Sequence, residues 1–354
     1  MKASPKSSRR SVDQDRLRTP RKRATLPRPR WIKRLRFDPL PALASISNPA
    51  LVYAVKRDLL GDDPGPVAEL WSLPEVTRLL RRQRPDGAWP YPGGGIPKYR
   101  PVEDYAQIET YRSLGILVEK HDATRRLPAV RQAAEFLFTR QTDAGDFRGI
   151  YGRQYTPNYS AGILELLVKA GYGSDARVQR AFAWLLSLRQ DDGGWAIPMV
   201  TRYGRWHQAS LARPALPPDR SKPSSHMVTG VVLRAFAAHP RYRQSSAARR
   251  AAGLLAGRLF ARDKYPGRDA PSFWIGFCFP FWFTDLLSAL DSLTRIGVDA
   301  GHPTVAEALA WFAREQRADG TWRLHAVHGG DPDTSLWISL AICRVFQRMG
   351  EAAG

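Results

Sequence analysis

Cysteine is scarce: Cys278 and Cys343 are the only two in 354 residues. Two thiols make no disulfide scaffold, so a reducing cytosol is the expected compartment. Long apolar runs are missing as well. No stretch approaches the roughly eighteen uninterrupted apolar residues that a spanning helix needs, so no transmembrane segment is expected. The expected location is cytoplasmic, extending to the periphery of a membrane surface. Alternating apolar and polar residues, the mark of half-buried strands, are nearly absent. Acidic residues are also in deficit, with 33 Asp and Glu against 54 Lys and Arg, a net charge of +21.

That charge is unevenly placed. Residues 1–36 carry fourteen Lys and Arg against only Asp13 and Asp15, with many prolines and little apolar content. Such a segment buries too little surface to fold, and it reads as a disordered basic arm. An arm of this kind binds anionic membrane or nucleic acid weakly, or is simply a solvated tail. Residues 37–64 read as an apolar lead-in that packs on a larger unit, residues 65–354.

What is present is a repeat. "RRQRPDGAW" ends at Trp89, "FLFTRQTDAGDF" at Phe147, "WLLSLRQDDGGW" at Trp195 and "WFAREQRADGTW" at Trp322. Each runs from an apolar helical stretch through Gln to an Asp- and Gly-containing turn and then an aromatic residue. The glutamines are Gln83, Gln141, Gln190 and Gln316, spaced 58, 49 and 126 residues apart. The last gap has room for a degenerate copy, near "AAGLLAGRLFARDKYPG" at 251–267. Glycine just past a helix and a neighbouring Asp are turn chemistry. Asp191 and Asp192 therefore read as turn residues, because the acidic positions shift from copy to copy.

Two kinds of helix alternate between these turns. "DARVQRAFAWLLSLR" and "TVAEALAWFARE" are amphipathic. "AGILELLVKAG", "MVTGVVLRAFAA", "TDLLSALDSLTRIG" and "SLWISLAICRVF" are apolar nearly all round, which means burial on all sides. Alternating half-exposed and buried helices predict an all-α fold of two concentric layers, with about five to six helix pairs. It is an α/α barrel if the stack closes and a solenoid if it does not.

With these repeats the chain resembles the prenyltransferase and squalene-cyclase type of α/α toroid. That group includes squalene–hopene cyclases and the β subunits of protein prenyltransferases. The resemblance rests on Arg180, Ala181, Trp184, Leu185, Leu186, Gln190, Gly193 and Trp195. It continues in Glu307, Ala308, Trp311, Phe312, Gln316, Gly320 and Trp322, with Glu where the pattern has a basic residue. Phe136, Leu137 and Gln141 follow it too, with Phe147 in place of Trp. It covers roughly residues 65–350 and implies a terpenoid cyclase or prenyl transferase with an isoprenoid-like hydrophobic ligand. One fold hosts many functions, so a non-catalytic toroid binding a lipid or protein is the alternative.

The family's DxDD acid is not intact. The nearest string, "HGGDPDTSLW", supplies Asp331 and Asp333 as the catalytic candidates, with Thr334 where the last acid would stand. Paired carboxylates raise one another's pKa, as a proton donor requires. Asp333 ahead of a helix is equally an ordinary N-cap. The family's Asp/Cys/His zinc set is not recognisable. Cys278 and Cys343 read as core cysteines, and His325, His328, Asp331 and Asp333 lack a fourth distant ligand. No metal or cofactor is expected. "PSFWIGFCFPFWFTDLL" crowds Trp274, Phe277, Phe279, Phe281, Trp282 and Phe283 before a buried helix. An aromatic-lined cavity there suits an isoprenoid chain, although dense aromatics also fill cores. The substrate-binding candidates are Trp274, Phe277, Phe281, Trp282, Tyr155, His226 and Trp337, with Tyr159 beside Tyr155.

Overall fold

The computed structural model describes residues 1, 29–92, 104–267, 269–327 and 331–351. The expectations for residues 2–28 of the arm and for His328 lie outside the described residues. Within them the chain is helical, and pairing between extended segments is limited to isolated bridges.

The outer helices are α1 (Leu40–Ala44), α3 (Pro74–Leu80), α5 (Pro128–Phe138), α7 (Ala176–Ser187), α10 (Ser246–Ala256) and α12 (Pro303–Arg314). The inner helices are α2 (Pro49–Val55), α4 (Tyr105–His121), α6 (Pro157–Leu167), α9 (His226–Ala238), α11 (Leu286–Ile296) and α13 (Thr334–Glu351). A short helix, α8 (Pro198–Tyr203), lies between α7 and α9. The starts are written locally. Proline stands in the first turn of α5, α6, α8 and α12, and Asp104, Asp175, Ser225, Ser245 and Asp285 cap α4, α7, α9, α10 and α11. The outer helices bury one stripe, such as Val130, Ala133, Ala134 and Leu137 of α5, while α9 hides nearly every residue from Val228 to Ala237.

The inner helices pack in sequence order from α4 through α6, α9 and α11 to α13. The ring then closes, because α2 touches both α13 and α4. The structure is therefore a closed α/α toroid.

The repeat strings are the clamps of this toroid. Each Gln side-chain amide donates twice. Gln83 bonds the Gly87 and Ala129 carbonyls at 2.9 Å each. Gln141 bonds Gly145 at 3.0 Å and Arg177 at 2.8 Å. In these two copies one acceptor lies in the turn itself and the other at the start of the next outer helix, whereas Gln190 donates to the Asp219 and Lys222 carbonyls ahead of α9. The aromatic residue folds back onto the helix that has just ended. The indole N–H groups of Trp89, Trp195 and Trp322 donate to the carbonyls of Leu79, Leu185 and Phe312 at 2.8, 2.7 and 2.7 Å. The next inner helix contributes a buried hydroxyl. Thr110, Ser160, Thr229 and Ser339 accept the backbone N–H of Trp89, Phe147, Trp195 and Trp322. Gly87, Gly145, Gly193 and Gly320 all have positive φ, so the turn requires glycine. Asp192 accepts the Gly194 N–H at 3.0 Å, a turn role.

Two expected boundaries move. The lead-in at 37–64 is itself a helix pair, α1 with α2, and it completes both layers. The last clamp holds it: the Gln316 amide donates to the Phe37 carbonyl at 2.8 Å and its oxygen accepts the Arg36 and Phe37 N–H groups at 3.0 Å each. The arm also ends before residue 36. Trp31 and Ile32, in a 3-10 turn at Arg30–Arg34, are buried against α13, and a Cβ on Gly350 would lie 2.9 Å from that of Trp31.

Candidate functional site

Buried inner helices do not fill the middle of the ring. A cavity of about 700 Å³ lies at the N-terminal halves of α4, α6 and α9 and beside residues 282–284, which lead into α11. Its size is that of small-molecule sites, roughly 300–1,000 Å³. Apolar walls come from Ile108 and Ile116 of α4, Val228 and Val231 of α9, and Ile197 and Val200 around α8.

One wall is a row of rings. Tyr151 meets Tyr159 edge-on with centroids 5.4 Å apart, Tyr159 meets Tyr111 at 6.4 Å, and Tyr111 meets Trp282 at 5.0 Å. Small residues make room for it. A Cβ on Gly115 would stand 3.2 Å from the Trp282 ring, and one on Gly162 would collide with the Tyr111 hydroxyl. Glycine inside a helix is otherwise unfavourable, so these two positions serve the ring wall. Burial pushes the Tyr111 phenol well above its ordinary pKa, so it stays a neutral hydroxyl.

Two buried carboxylates join the lining. Glu109 pairs with Arg112 one turn on, at 2.6 Å. Asp263 accepts from the Ser225 hydroxyl at 2.8 Å and the Met227 N–H at 2.9 Å. Behind it, His226 lies with Nε2 at 3.5 Å from Asp263 and its ring stacked on Trp274. Burial depresses the His226 pKa against the pull of Asp263, so the imidazole is neutral at pH 7. The Asn158 side-chain oxygen, also at the lining, is buried without a hydrogen-bond partner among the described residues.

The C-terminal halves of the inner helices carry charge instead. Arg234 of α9 bonds Glu165 of α6 at 2.8 Å, and Lys169 bridges Glu165 at 2.7 Å and Glu119 of α4 at 2.5 Å. Asp291 of α11 holds Arg295 at 3.0 Å and Arg348 of α13 at 2.5 Å. Burial alone would raise the Asp291 pKa, but Arg295 and Arg348 outweigh it and hold the carboxyl ionised. Apolar cavity and charged belt therefore occupy different levels of the ring.

The expected site residues divide. Trp282 and Tyr159 line the cavity. His226 stands one shell behind it. Trp274 is instead the anchor of the degenerate repeat, its indole N–H donating to the Ala261 carbonyl at 2.8 Å. Phe277 packs among Trp311 and Phe312, Phe281 against Phe279, and Tyr155 against Trp184. Trp337 is stacked on Phe279 with centroids 5.3 Å apart. None of these five belongs to the lining.

The two acid candidates are likewise elsewhere. Asp331 is ion-paired with Lys120, which holds its carboxyl below the usual range against the opposing effect of burial. Asp333 accepts from the Asn48 amide at 2.7 Å, and its carbonyl receives the Trp337 N–H at the start of α13. They tie α13 to α2 and α4. Among the described residues no three His, Cys, Asp or Glu gather as a metal site, and no helix is long and apolar enough to cross a membrane. Sequence reasoning missed Tyr111, Glu109, Arg82, Arg112 and Asp263. The available signal was the run "QIETYRSLG", polar and glycine-containing inside an inner helix.

No protein-family model matches the chain, and no curated protein matches it. Several solved structures are similar. Type II terpene cyclase MstE from Scytonema is 16% identical over 81% of this chain and 98% of its own, with a TM-score of 0.33. Ent-copalyl diphosphate synthase from Streptomyces platensis is 18% identical over 77% of this chain and 48% of its own, at 0.35. A polysaccharide lyase is 12% identical over 87% of this chain and 90% of its own, at 0.40. These scores assign no activity, and the chemistry has to come from the cavity itself.

Proposed function

We propose that the protein binds an isoprenoid chain in this cavity and acts on it as a terpene-cyclase-like enzyme. The observation that carries the reading is the Tyr151–Tyr159–Tyr111–Trp282 row, which lines one cavity together with branched aliphatic side chains. Apolar walls take up a polyene by removing it from water. Ring faces steady positive charge as a chain folds and reacts, and exclusion of water protects a cationic chain from capture. Glu109 and Asp263 are the carboxylates within reach of such a chain, as proton donors or as counter-charges.

One observation favours a second reading, a toroid that binds the lipid without converting it. Glu109 is balanced by Arg112 and Asp263 by hydrogen-bond donors. Each carboxylate is thus already held by partners of the protein's own.

The test is incubation of the protein with polyprenyl substrates of increasing length and product analysis by gas chromatography and mass spectrometry. Val231→Trp, which fills the cavity, should abolish both binding and product. Glu109→Gln and Asp263→Asn should retain binding, and one of them should lose product. Binding without any product would select the second reading, and absence of binding would refute both.

A further inference from the structure

The cavity has a sided distribution of charge. Its solvent-exposed lining residues are Arg82, Pro92, Arg112, Pro266 and Gly267, which mark the mouth. Its carboxylates, Glu109 and Asp263, are 8% and 6% exposed and sit within the walls. Among the described lining residues every exposed charge is therefore positive. Arg112 spends part of its charge on Glu109. Arg82, just past the end of α3, has no carboxylate partner among the described residues. Arg78 of the same short helix and Arg81 at its C-cap have none among the described residues either. Elsewhere on the barrel many arginines are paired, including Arg57, Arg140, Arg177, Arg262 and Arg295.

We infer that the ligand is an amphiphile with an anionic head, bound at the mouth by Arg82 and Arg112 while its apolar chain runs inward along Tyr111 and Trp282. This rests on the reading of the cavity as an isoprenoid site and adds the chemistry of the head. Guanidinium groups present donors in a planar fork that matches a phosphate or carboxylate. A cationic rim leading into apolar walls also orients the ligand. Entering chain-first puts each end of an anionic amphiphile against its complement, and the reverse orientation buries a charge among Val228, Val231 and Trp282 at high cost. Phosphate and carboxylate share this chemistry, and the probes below separate them.

The experiment measures affinity by tryptophan fluorescence for geranylgeranyl diphosphate, geranylgeranoic acid and geranylgeraniol. These carry one chain and differ in head. The wild type is expected to bind at least one anionic probe about tenfold or more tighter than the alcohol, with the preference shrinking as salt rises. Whichever anion gains more identifies the head class. Arg82→Gln should remove roughly tenfold of the affinity for the anionic probe and leave that for the alcohol unchanged. Arg84→Gln, whose side chain pairs with Asp86 and does not line the cavity, should change neither. Equal affinity for alcohol and anions, or an equal loss for all three probes in Arg82→Gln, would overturn the head assignment and leave the isoprenoid reading standing. If no probe bound, or if Val231→Trp altered no affinity, the reading of the cavity would fall and the head assignment with it.

Discussion

Gln316 is where the ring is fastened, and its removal is the sharpest test of closure. Its side chain is 5% exposed and makes four hydrogen bonds. Three of them reach residues 36 and 37, some 280 positions earlier in the chain. A neutral hydrogen bond contributes roughly 0.5–1.5 kcal/mol net, and a buried group left unpaired costs about 1–3 kcal/mol. Gln316→Ala removes all four and exposes the partners unequally, since the Arg36 and Phe37 backbone is only part-buried and regains water. A loss of about 2–4 kcal/mol follows. Urea denaturation followed by circular dichroism measures it. The loss should come with faster proteolysis near residues 36–40, where the three bonds to Gln316 are removed. Gln83→Ala, whose amide makes two such bonds, should cost about half as much. A loss below about 1 kcal/mol in Gln316→Ala, with unchanged cleavage near residues 36–40, would mean that packing alone closes the ring.

Trp274→Ala should cost about 3–5 kcal/mol of stability as a lost buried anchor, whereas Trp282→Phe should fold nearly as well and weaken ligand binding; thermal melts and titrations with one probe separate them. Burial pushes the Asp285 carboxyl from 3.8 up to about 6, and its second oxygen has no hydrogen-bond partner among the described residues. Because this pKa is above the unfolded value, the ionised group is a liability at and above pH 7, and that liability fades as pH falls from 6 toward 4. Asp285→Asn keeps a good N-cap and should therefore stabilise the protein at pH 7, on the order of 1–3 kcal/mol, and by much less at pH 4.5; the same increment at both pH values would contradict the buried-acid account. Deletion up to residue 36 should cost several kcal/mol rather than nothing, since it removes the buried Trp31 and Ile32, as a shifted denaturation midpoint would reveal. Asp333→Asn should leave ligand affinity and any turnover unchanged, since Asp333 is no part of the lining; loss of product with folding intact would return it to the chemistry.

The sequence by itself determined the helices, their alternation in two layers and the anchor at the end of each repeat. Those features are local. Periodicity, proline in first turns, cap residues and glycine in a left-handed turn act within a few positions, so Trp195 and Trp322 could be read as structural before any fold was known. Ring closure and the cavity were decided only by tertiary structure. Residues 36–60 carry no repeat signature, and their place in the ring comes from Gln316 and α13 at the far end of the chain. The lining assembles Glu109, Asn158 and Met227 from three separate helices and Trp282 from the segment before α11, and no local pattern links them. Aromatic density in 274–283 could not tell wall from core, because Phe277 and Trp282 are chemically alike in burying ring area; only the direction each takes from the backbone sends one to the core and the other to the cavity. Asp331 and Asp333 stood at the start of an inner helix as an acid site would. Their meaning changed when Lys120 and Asn48, hundreds of positions away, turned out to be their partners.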